Sequence, residues 1–565
     1  CKYIFRKEEM NLTDFEKLAE LLFGDVDKTP EYYEELYPQR PLAEGARVSR
    51  FAPSPTGFLH IGGLFAAMVA KLNASTTNGV FFLRIEDTDK KREITDGVSE
   101  IIKGLEAFGV TPDEGVMGFE KEEGNYGPYQ QSHRREIYRC FAKDLVLKGL
   151  AYPCFCSEDE LNALREKQEA ENVNKGYYGK WAHCRNLSYE EQEKLIKEGK
   201  PYVLRLRSPG NEEHKISFDD LVKGKIEMPE NIMDVVLLKT DGIPTYHFAH
   251  AVDDHLMRTT HVIRGDEWIA SVPLHIQLFK CCGFKVPKYA HIAPIMKEEN
   301  GGKRKLSKRK DPEAAVTYYS QEGYPKASVI EYLLTLANSN FEDWRKTNKT
   351  APQSAFPFNL KKMSASGALF DLAKLNDVSK NVISVMSAEE VYTLVTDWAK
   401  EYNEKLYALL TRDPEFSTKL FSIDRGTAKP RKDIAKWSEI ESYCEYFFDE
   451  LYTPDYTMPE NVSNEEASAI LKKYLEVYSH SQDKDGWFDT VKSICEPLGY
   501  TPNVKEYKKN PEAYKGHVGD VSSVIRIAVT SRRNTPDLYA IMQLLGEEKV
   551  RERIAAAIKA CGGEE

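Results

Sequence analysis

The sequence predicts a multidomain α/β plus all-α chain: a parallel sheet interrupted by an inserted domain, then an all-helical half. Three observations carry that prediction. From Val48 to about Gly109, strand-like apolar runs alternate with helical periodicity, as in a parallel α/β sheet. A lysine- and glutamate-rich stretch from about 141 to 233 breaks this style, which resumes at DVVLLK (Asp234–Lys239) and THVIRGDEW (Thr260–Trp268). Beyond about Lys310 helical periodicity with short polar breaks runs to Glu565, without a strand-rich stretch. At 565 residues the chain is too long for one core, and no repeat of about 20–50 residues organises it.

Met10 opens MNLTDFEKLAELLF, an amphipathic helix with Leu12, Phe15, Leu18, Leu21 and Leu22 on one face. The natural start is expected at Met10, with the nine residues before it foreign to the natural chain. Val48 to Ala52 reads as a strand that Pro53 and Pro55 must end, because proline offers no ladder donor. A tight Pro-Ser-Pro-Thr-Gly turn comes next, with His60, Gly62 and Gly63 at the entrance of a helix whose apolar face is Leu64, Phe65, Met68, Val69 and Leu72. A strand, a small-residue turn and a helix N-terminus outline a phosphate site, since unpaired N–H groups and the positive dipole end converge there. The alternative is a strand–turn–helix connection with no ligand. There is no G-x-x-x-x-G-K-[ST] and no G-x-G-x-x-G after a strand, so neither a P-loop nor a dinucleotide fold is indicated. GVFFLRIED is the next strand, and Val98, Ile101, Ile102, Leu105 and Phe108 mark the next helix.

Composition narrows the class. The chain is 41% hydrophobic and 30% charged, with no apolar run near the roughly 18 residues of a membrane span and no signal segment, so a cytoplasmic protein is expected. A net charge of −11 excludes a surface basic all over, and any nucleic acid must meet local patches, of which KRKLSKRK (Lys303–Lys310) is the strongest. Most of the ten cysteines are scattered as reduced thiols would be, but Cys154, Cys156 and Cys184 stand apart.

HIGG (His60–Gly63) after RFAPSPTG, with KLSKR (Lys305–Arg309) far downstream, resembles the two signature motifs of class I aminoacyl-tRNA synthetases. Between them RIEDTD (Arg84–Asp89), GIPTYHFAHAVDDHLM (Gly242–Met257) and HVIRGDEW (His261–Trp268) closely resemble the glutamyl-tRNA synthetase branch. Gly63 stands where the class-wide first motif ends in His, and Leu306 and Arg309 where the second has Met and Ser. The glutamyl branch commonly shows that glycine and that arginine.

The resemblance implies a class I Rossmann-like catalytic domain over 46–125 and 246–294, behind an N-terminal extension (1–45). It further implies an inserted acceptor-end-binding domain (126–245), a stem-contact domain with the KLSKR loop (295–383) and helical anticodon-binding domains (384–565). It implies ATP-dependent attachment of glutamate to tRNA(Glu), through an adenylate and with Mg²⁺ on the phosphates; tRNA(Gln) remains open as a second acceptor. ATP is expected on Pro53, Ser54, Thr56, Gly57, His60, Gly62, Gly63, Lys305, Leu306, Ser307, Lys308 and Arg309. His60, Lys305 and Lys308 are the expected catalytic groups, donating to phosphate oxygens and stabilising pyrophosphate in a loop with Gly301 and Gly302 as flexible shoulders.

Glutamate needs two cationic forks and an anion. By resemblance Arg50 and Arg264 take the carboxylates, Ser54 and Glu86 stand near the ammonium, Tyr246 lines the pocket, and His250 replaces the Asn of many relatives. Glutaminyl-tRNA synthetase is the runner-up, and Arg264 argues against it. Cys154, Cys156 and Cys184 supply three thiolates of the four ligands zinc wants. By family Tyr178 is the fourth; His183 is the other candidate, and three metal-free reduced cysteines the alternative. KPRKDIAKW (Lys429–Trp437) and TSRRN (Thr530–Asn534) are candidate tRNA-backbone contacts in an expected monomer.

Overall fold

The computed structural model describes residues 10–55, 57–88, 96–118, 120–307 and 309–562. Two compact units are present, Cys1–Tyr318 with Leu333–Asp371, and Tyr319–Tyr332 with Leu372–Glu565.

The first unit is built on an eight-stranded sheet. Its order runs Lys121–Glu123, Glu114–Gly118, Val80–Leu83, Val48–Phe51, His261–Gly265, Lys288–Ile292, Lys215–Asp220, Gly224–Pro229. The six inner strands are parallel and each edge strand joins antiparallel. Parallel strands need cover on both faces, which is why Val80–Leu83 and His261–Gly265 are almost wholly buried. From Val48–Phe51 the chain moves one way to Val80–Leu83, and the return from downstream pairs His261–Gly265 on its other side. That reversal is a topological switch point, where open α/β sheets bind ligands beyond the carboxyl ends of the strands.

The predicted insertion differs in one respect. Lys215–Asp220 and Gly224–Pro229, inside 126–245, are strands of the large sheet rather than of a separate body. Within that segment Ala151–Cys154, Val203–Leu206 and Val236–Leu238 form their own antiparallel sheet. The amphipathic helix spans Leu12–Phe23, capped by Asn11 with Asp14 in a reciprocal box, and packs on Arg135–Leu147. Its buried face is Leu18, Ala19, Leu22 and Phe23; Leu12, expected on that face, is exposed at the helix start.

The second unit is helical, and among the described residues no strand comes after Gly302–Lys305. One core gathers Val391, Val395, Leu410, Leu420 and Ile440; another gathers Ile470, Leu471, Tyr474, Val524 and Ile554. No helix of the described residues is long and apolar enough to cross a membrane.

Candidate active site

The first motif forms as its residues dictate. The strand ends at Phe51, and helix Ile61–Ser75 starts three residues before the first predicted apolar position, with His60 as its N-cap. His60 Nδ1 accepts the Gly62 N–H at 2.9 Å. A neutral imidazole whose Nδ1 accepts carries its proton on Nε2, so this cap leaves His60 with a donor nitrogen. Gly62 and Gly63 are used within the protein: a Cβ at 62 would stand 3.2 Å from His60 Nδ1, and one at 63 would stand 3.0 Å from Leu59 Cδ1. In the turn, Pro53 and Gly57 are half-buried and Ser54 is exposed, while Thr56 lies outside the described residues. The Pro53 carbonyl accepts the Glu86 N–H at 3.0 Å, which brings the RIEDTD segment against the turn.

The chain just beyond the second motif is tied to the first. His60 forms a bridge with Ala315, and Val316 N–H donates to the Leu59 carbonyl at 3.1 Å. Lys305 is not in a loop. It ends the strand Gly302–Lys305, paired antiparallel with Met296–Glu299. Asn300 and Gly301, both at positive φ (52° and 76°), make the two-residue turn whose twist suits a hairpin. Leu306 is buried, and its N–H donates to the Ile295 carbonyl at 3.1 Å. Asp311 organises the base of this hairpin, accepting the Ser307 N–H at 2.9 Å, both Arg304 Nη groups at 2.6 and 2.8 Å, and Lys297 Nζ at 3.1 Å. Those hydrogen bonds, with Arg304 first, hold its carboxyl well below the usual range. Arg309 is exposed, and Lys308 lies outside the described residues.

Of the expected amino-acid residues, Arg50, Glu86, Tyr246, His250 and Arg264 lie together at the switch point, and among the described residues no side-chain hydrogen bond ties the exposed Ser54 to them. Arg50 and Arg264 lie at the carboxyl ends of the two neighbouring strands, both buried. Arg50 turns Nε and Nη2 onto Asp254 at 2.9 and 3.2 Å, leaving Nη1 without a partner among the described residues. Asp254 also accepts from Arg84 Nη1 at 2.9 Å and the Thr259 hydroxyl at 3.0 Å, and His250 Nδ1 stands 2.5 Å away. Arg84 Nη2 holds Glu86 at 3.0 Å. Asp253 accepts from Arg134, Gln131 and Tyr138 at 2.7, 2.8 and 2.8 Å. Arg50, Arg84 and Arg134 thus balance Asp253, Asp254 and Glu86 in one buried network.

Burial sets the protonation states here. It pushes the Glu86 carboxyl up against the pull of Arg84 and Arg50, and it drives His250 down to about 3, so that ring is neutral. Its Nε2 stands 3.1 Å from the Tyr289 hydroxyl. Asp254 stays ionised, its two arginines outweighing its burial. Tyr246 packs against Trp268 with the rings tilted by 37° and centroids 4.3 Å apart, and its hydroxyl accepts from Arg264 Nη1 at 3.3 Å. Three residues around this site that the motifs did not single out are His275, His291 and Asp220, which line up behind Arg264.

The cysteine group also assembles. Cys154, Cys156 and Cys184 place their sulfurs within 4.8 Å of one another, with Cys156 and Cys184 3.7 Å apart. Two thiolates on one tetrahedral zinc, at about 2.3 Å each, stand about 3.8 Å from one another, so these three fit the metal. The expected fourth ligand needs correction. Tyr178 turns away and donates to the Asn174 carbonyl at 2.7 Å, packing with Leu164 and Trp181. Its extended backbone (φ −162°, ψ 157°) sends adjacent side chains to opposite sides, and it is the Tyr177 hydroxyl that stands 3.3 Å from Cys156 Sγ.

In the helical unit the two basic segments meet, Arg431 Nη2 donating to Asn534 Oδ1 at 3.2 Å. Arg431 also pairs with Asp433, Lys436 with Glu322 and Arg532 with Glu445, while Lys429 and Lys432 are exposed.

Residues 47–377 match the family of class I tRNA synthetases (E and Q), catalytic domain, and residues 428–558 match an anticodon-binding domain family. This chain belongs to the class I glutamyl and glutaminyl tRNA synthetases. It is 54% identical over 544 residues to a glutamate–tRNA ligase of Clostridium perfringens (strain 13 / Type A), covering 96% of this chain and 100% of that one. A glutamate–tRNA ligase of Sorangium cellulosum is 47% identical, with 95% and 99% covered. Among solved structures, a glutamate tRNA ligase from Elizabethkingia meningosepticum in complex with its amino acid superposes with a TM-score of 0.72 at 29% identity, covering 91% of this chain and 99% of that one. Within the family, residues 10–46 precede the catalytic match. They are fastened to it by Arg258, which donates to the Tyr37 carbonyl and Glu34, and by Arg40, which donates to Glu114.

Proposed function

We propose that this synthetase activates glutamate with ATP and transfers it to tRNA(Glu). The observation that carries the reading is the pair of buried arginines, Arg50 and Arg264, at the switch point of the sheet beside the His60 helix terminus. A dicarboxylic amino acid offers two anionic groups for two such forks, and Glu86, on the Arg84 side, is the anion for its ammonium. His60 Nε2 and the helix N-terminus take ATP phosphate, with Pro53, Gly57 and the described residues of the second motif as the further expected contacts. Mg²⁺ supplies further charge neutralisation on the phosphates. The chemistry is attack of a carboxylate oxygen on the α-phosphorus with pyrophosphate leaving, and then attack of a tRNA ribose hydroxyl on the carbonyl carbon of the mixed anhydride, with AMP leaving and the hydroxyl proton lost. No covalent enzyme intermediate is required.

The test is charging of purified tRNA(Glu) and tRNA(Gln), each with labelled glutamate and with labelled glutamine. Glutamate on tRNA(Glu) is expected; acceptance of glutamine in its place would overturn the pocket. Glutamate on tRNA(Gln) as well would make the enzyme non-discriminating. On the same reading 46–125 with 246–294 serve catalysis, 126–245 the acceptor end, 295–383 the stem and 384–565 the anticodon. Exposed Lys429 and Lys432 are the phosphate contacts, in a monomer acting in the cytoplasm.

Zinc belongs to the same reading, held by Cys154, Cys156 and Cys184 with the Tyr177 hydroxyl as fourth ligand. It would tie strand Ala151–Cys154 to the turn at His183–Asn186. Metal analysis after expression with ample zinc should give about one equivalent, lost in Cys184→Ala, strongly weakened in Tyr177→Phe and unchanged in Tyr178→Phe. Less than about a tenth of an equivalent in the unmodified protein removes the metal from the account.

A further inference from the structure

Arg50 and Arg264 are oriented by opposite means. Arg50 is pinned by a carboxylate, whereas among the described residues Arg264 pairs with none. Its Nε donates to His291 Nε2 at 3.0 Å and its Nη2 to His275 Nδ1 at 3.1 Å. A guanidinium has donors only, so both facing imidazole nitrogens must be unprotonated acceptors. That requirement propagates outward. His291 must carry its proton on Nδ1, which stands 2.7 Å from Asp220 Oδ2. Asp220, at the end of strand Lys215–Asp220, is itself fixed by the N–H groups of Val222, Lys223 and His291 at 2.9, 2.8 and 3.1 Å. His275 must carry its proton on Nε2, which stands 2.9 Å from His247 Nδ1. His291 and His275 are fully buried, and burial together with the charge of Arg264 keeps both neutral.

We propose that Asp220, His291, His275 and His247 are positioning residues for the amino-acid substrate, holding Arg264 by neutral acceptors so that its charge is left for the substrate carboxylate. A carboxylate partner would orient the guanidinium equally well but would cancel much of its field. Two imidazoles fix two of its three nitrogens and leave the positive charge whole, which favours an acid over the corresponding amide. The arrangement also gives a use to the strand that the inserted stretch adds to the large sheet: it delivers Asp220 to the back of His291. This inference rests on the reading of Arg264 as a carboxylate-binding residue.

The unmodified protein provides the first test. With histidine nitrogens labelled, long-range proton–nitrogen correlation spectra of the twelve histidines near pH 7 should show His291 as the Nδ1–H tautomer and His275 as the Nε2–H tautomer. Assignments would come from His291→Gln and His275→Asn. A cationic ring, or the opposite tautomer, at either position overturns the relay.

Kinetics supply the second test. Loss of a hydrogen bond to a charged group is worth about tenfold or more, so His275→Leu should raise the KM for glutamate by about that factor. The KM for ATP should stay within about twofold, and His275→Asn, whose amide oxygen replaces the Nδ1 acceptor, should recover most of the loss. Equal changes in both KM values, or an asparagine variant as poor as the leucine one, overturn the inference. Arg264→Lys separates the two levels. If it leaves the glutamate KM unchanged, the pocket reading falls and this inference with it; if it raises that KM while His275→Leu does not, only the relay falls.

Discussion

Asp254 and Asp311 are both buried acids gripped by cations, yet the structures they hold differ in kind. Every partner of Asp254 is itself buried: Arg50, Arg84 and His250 have side chains 3% exposed or less. The partners of Asp311 reach out to solvent, with the side chains of Arg304 and Lys297 23% and 34% exposed. In the first cluster a lost partner leaves a charge in a low dielectric; in the second, water replaces it. The same ion-pair chemistry therefore makes a rigid floor under the proposed amino-acid pocket and a releasable tether on the hairpin that carries the second motif. If the proposed ATP role of this hairpin holds, a tether of the second kind is the one that can release and re-form.

The largest expected effect tests the rigid side. Asp254→Ala leaves two buried arginines short of a counter-charge, and breaking such a pair destabilises by about 3–5 kcal/mol. Urea unfolding should show a loss of that size and charging should vanish with it. A loss below about 1 kcal/mol would mean that water enters the cluster and that the contrast with Asp311 is false.

Next comes His60, which caps its helix and, on the proposed reading, also donates to phosphate. His60→Asn keeps a good N-cap but lacks the Nε2 donor, whereas His60→Ala loses both. Removal of such a donor to a developing charge lowers kcat by about 10²–10³. Both variants should show that fall, and only the alanine one should also lose about 1 kcal/mol of stability. If the asparagine variant keeps its rate, the donor has no part in the chemistry.

Asp311→Asn should be milder. Its partners are solvated, so the unfolding midpoint should hardly move, while kcat/KM for ATP falls by about tenfold as the hairpin base loosens. A matching loss of stability would place Asp311 with Asp254 among the rigid supports.

Both clusters left traces in the sequence, but of unequal depth. Local chemistry was readable: the two prolines that stop strand Val48–Phe51 and the helix behind His60, whereas only the resemblance singles out Arg50 and Arg264. The hairpin reads as a loop with flexible glycine shoulders, because its glycines and lysines look unstructured, although Asn300–Gly301 is a two-residue turn signal. What could not be read is what only the pairing of distant strands decides. Asp220 meets His291 because Lys215–Asp220 joins Lys288–Ile292, a parallel neighbour far along the chain. Tyr177 and Tyr178 are chemically the same candidate, and only the extended backbone between them chooses which hydroxyl faces the sulfurs.

The smallest effect concerns pH, and it separates the two clusters because a histidine stands in only one of them. Asp254 and Asp311 both have carboxyls held below the usual range, so their stabilisation is complete above the unfolded value of about 3.9 and fades only as pH falls below it. Between pH 7.5 and 5.5 neither contributes a slope. His250 behaves differently, since its folded value is near 3 while an unfolded histidine titrates near 6.5. Its contribution is complete above about 6.5 and declines as pH falls from there, because the unfolded chain binds a proton that the folded one refuses. Over that interval one such histidine removes at most about 1.4 kcal/mol. Urea unfolding of His250→Asn at both pH values should show a pH dependence smaller by about that amount than in the unmodified protein. A change of the opposite sign would mean that His250 is already protonated against Asp254, since a folded ring that keeps its proton gains stability as the unfolded chain takes one up. That would turn a neutral contact into a third ion pair and put the cluster in excess by one cation, whereas an unchanged dependence would mean that the folded ring titrates as the unfolded one does.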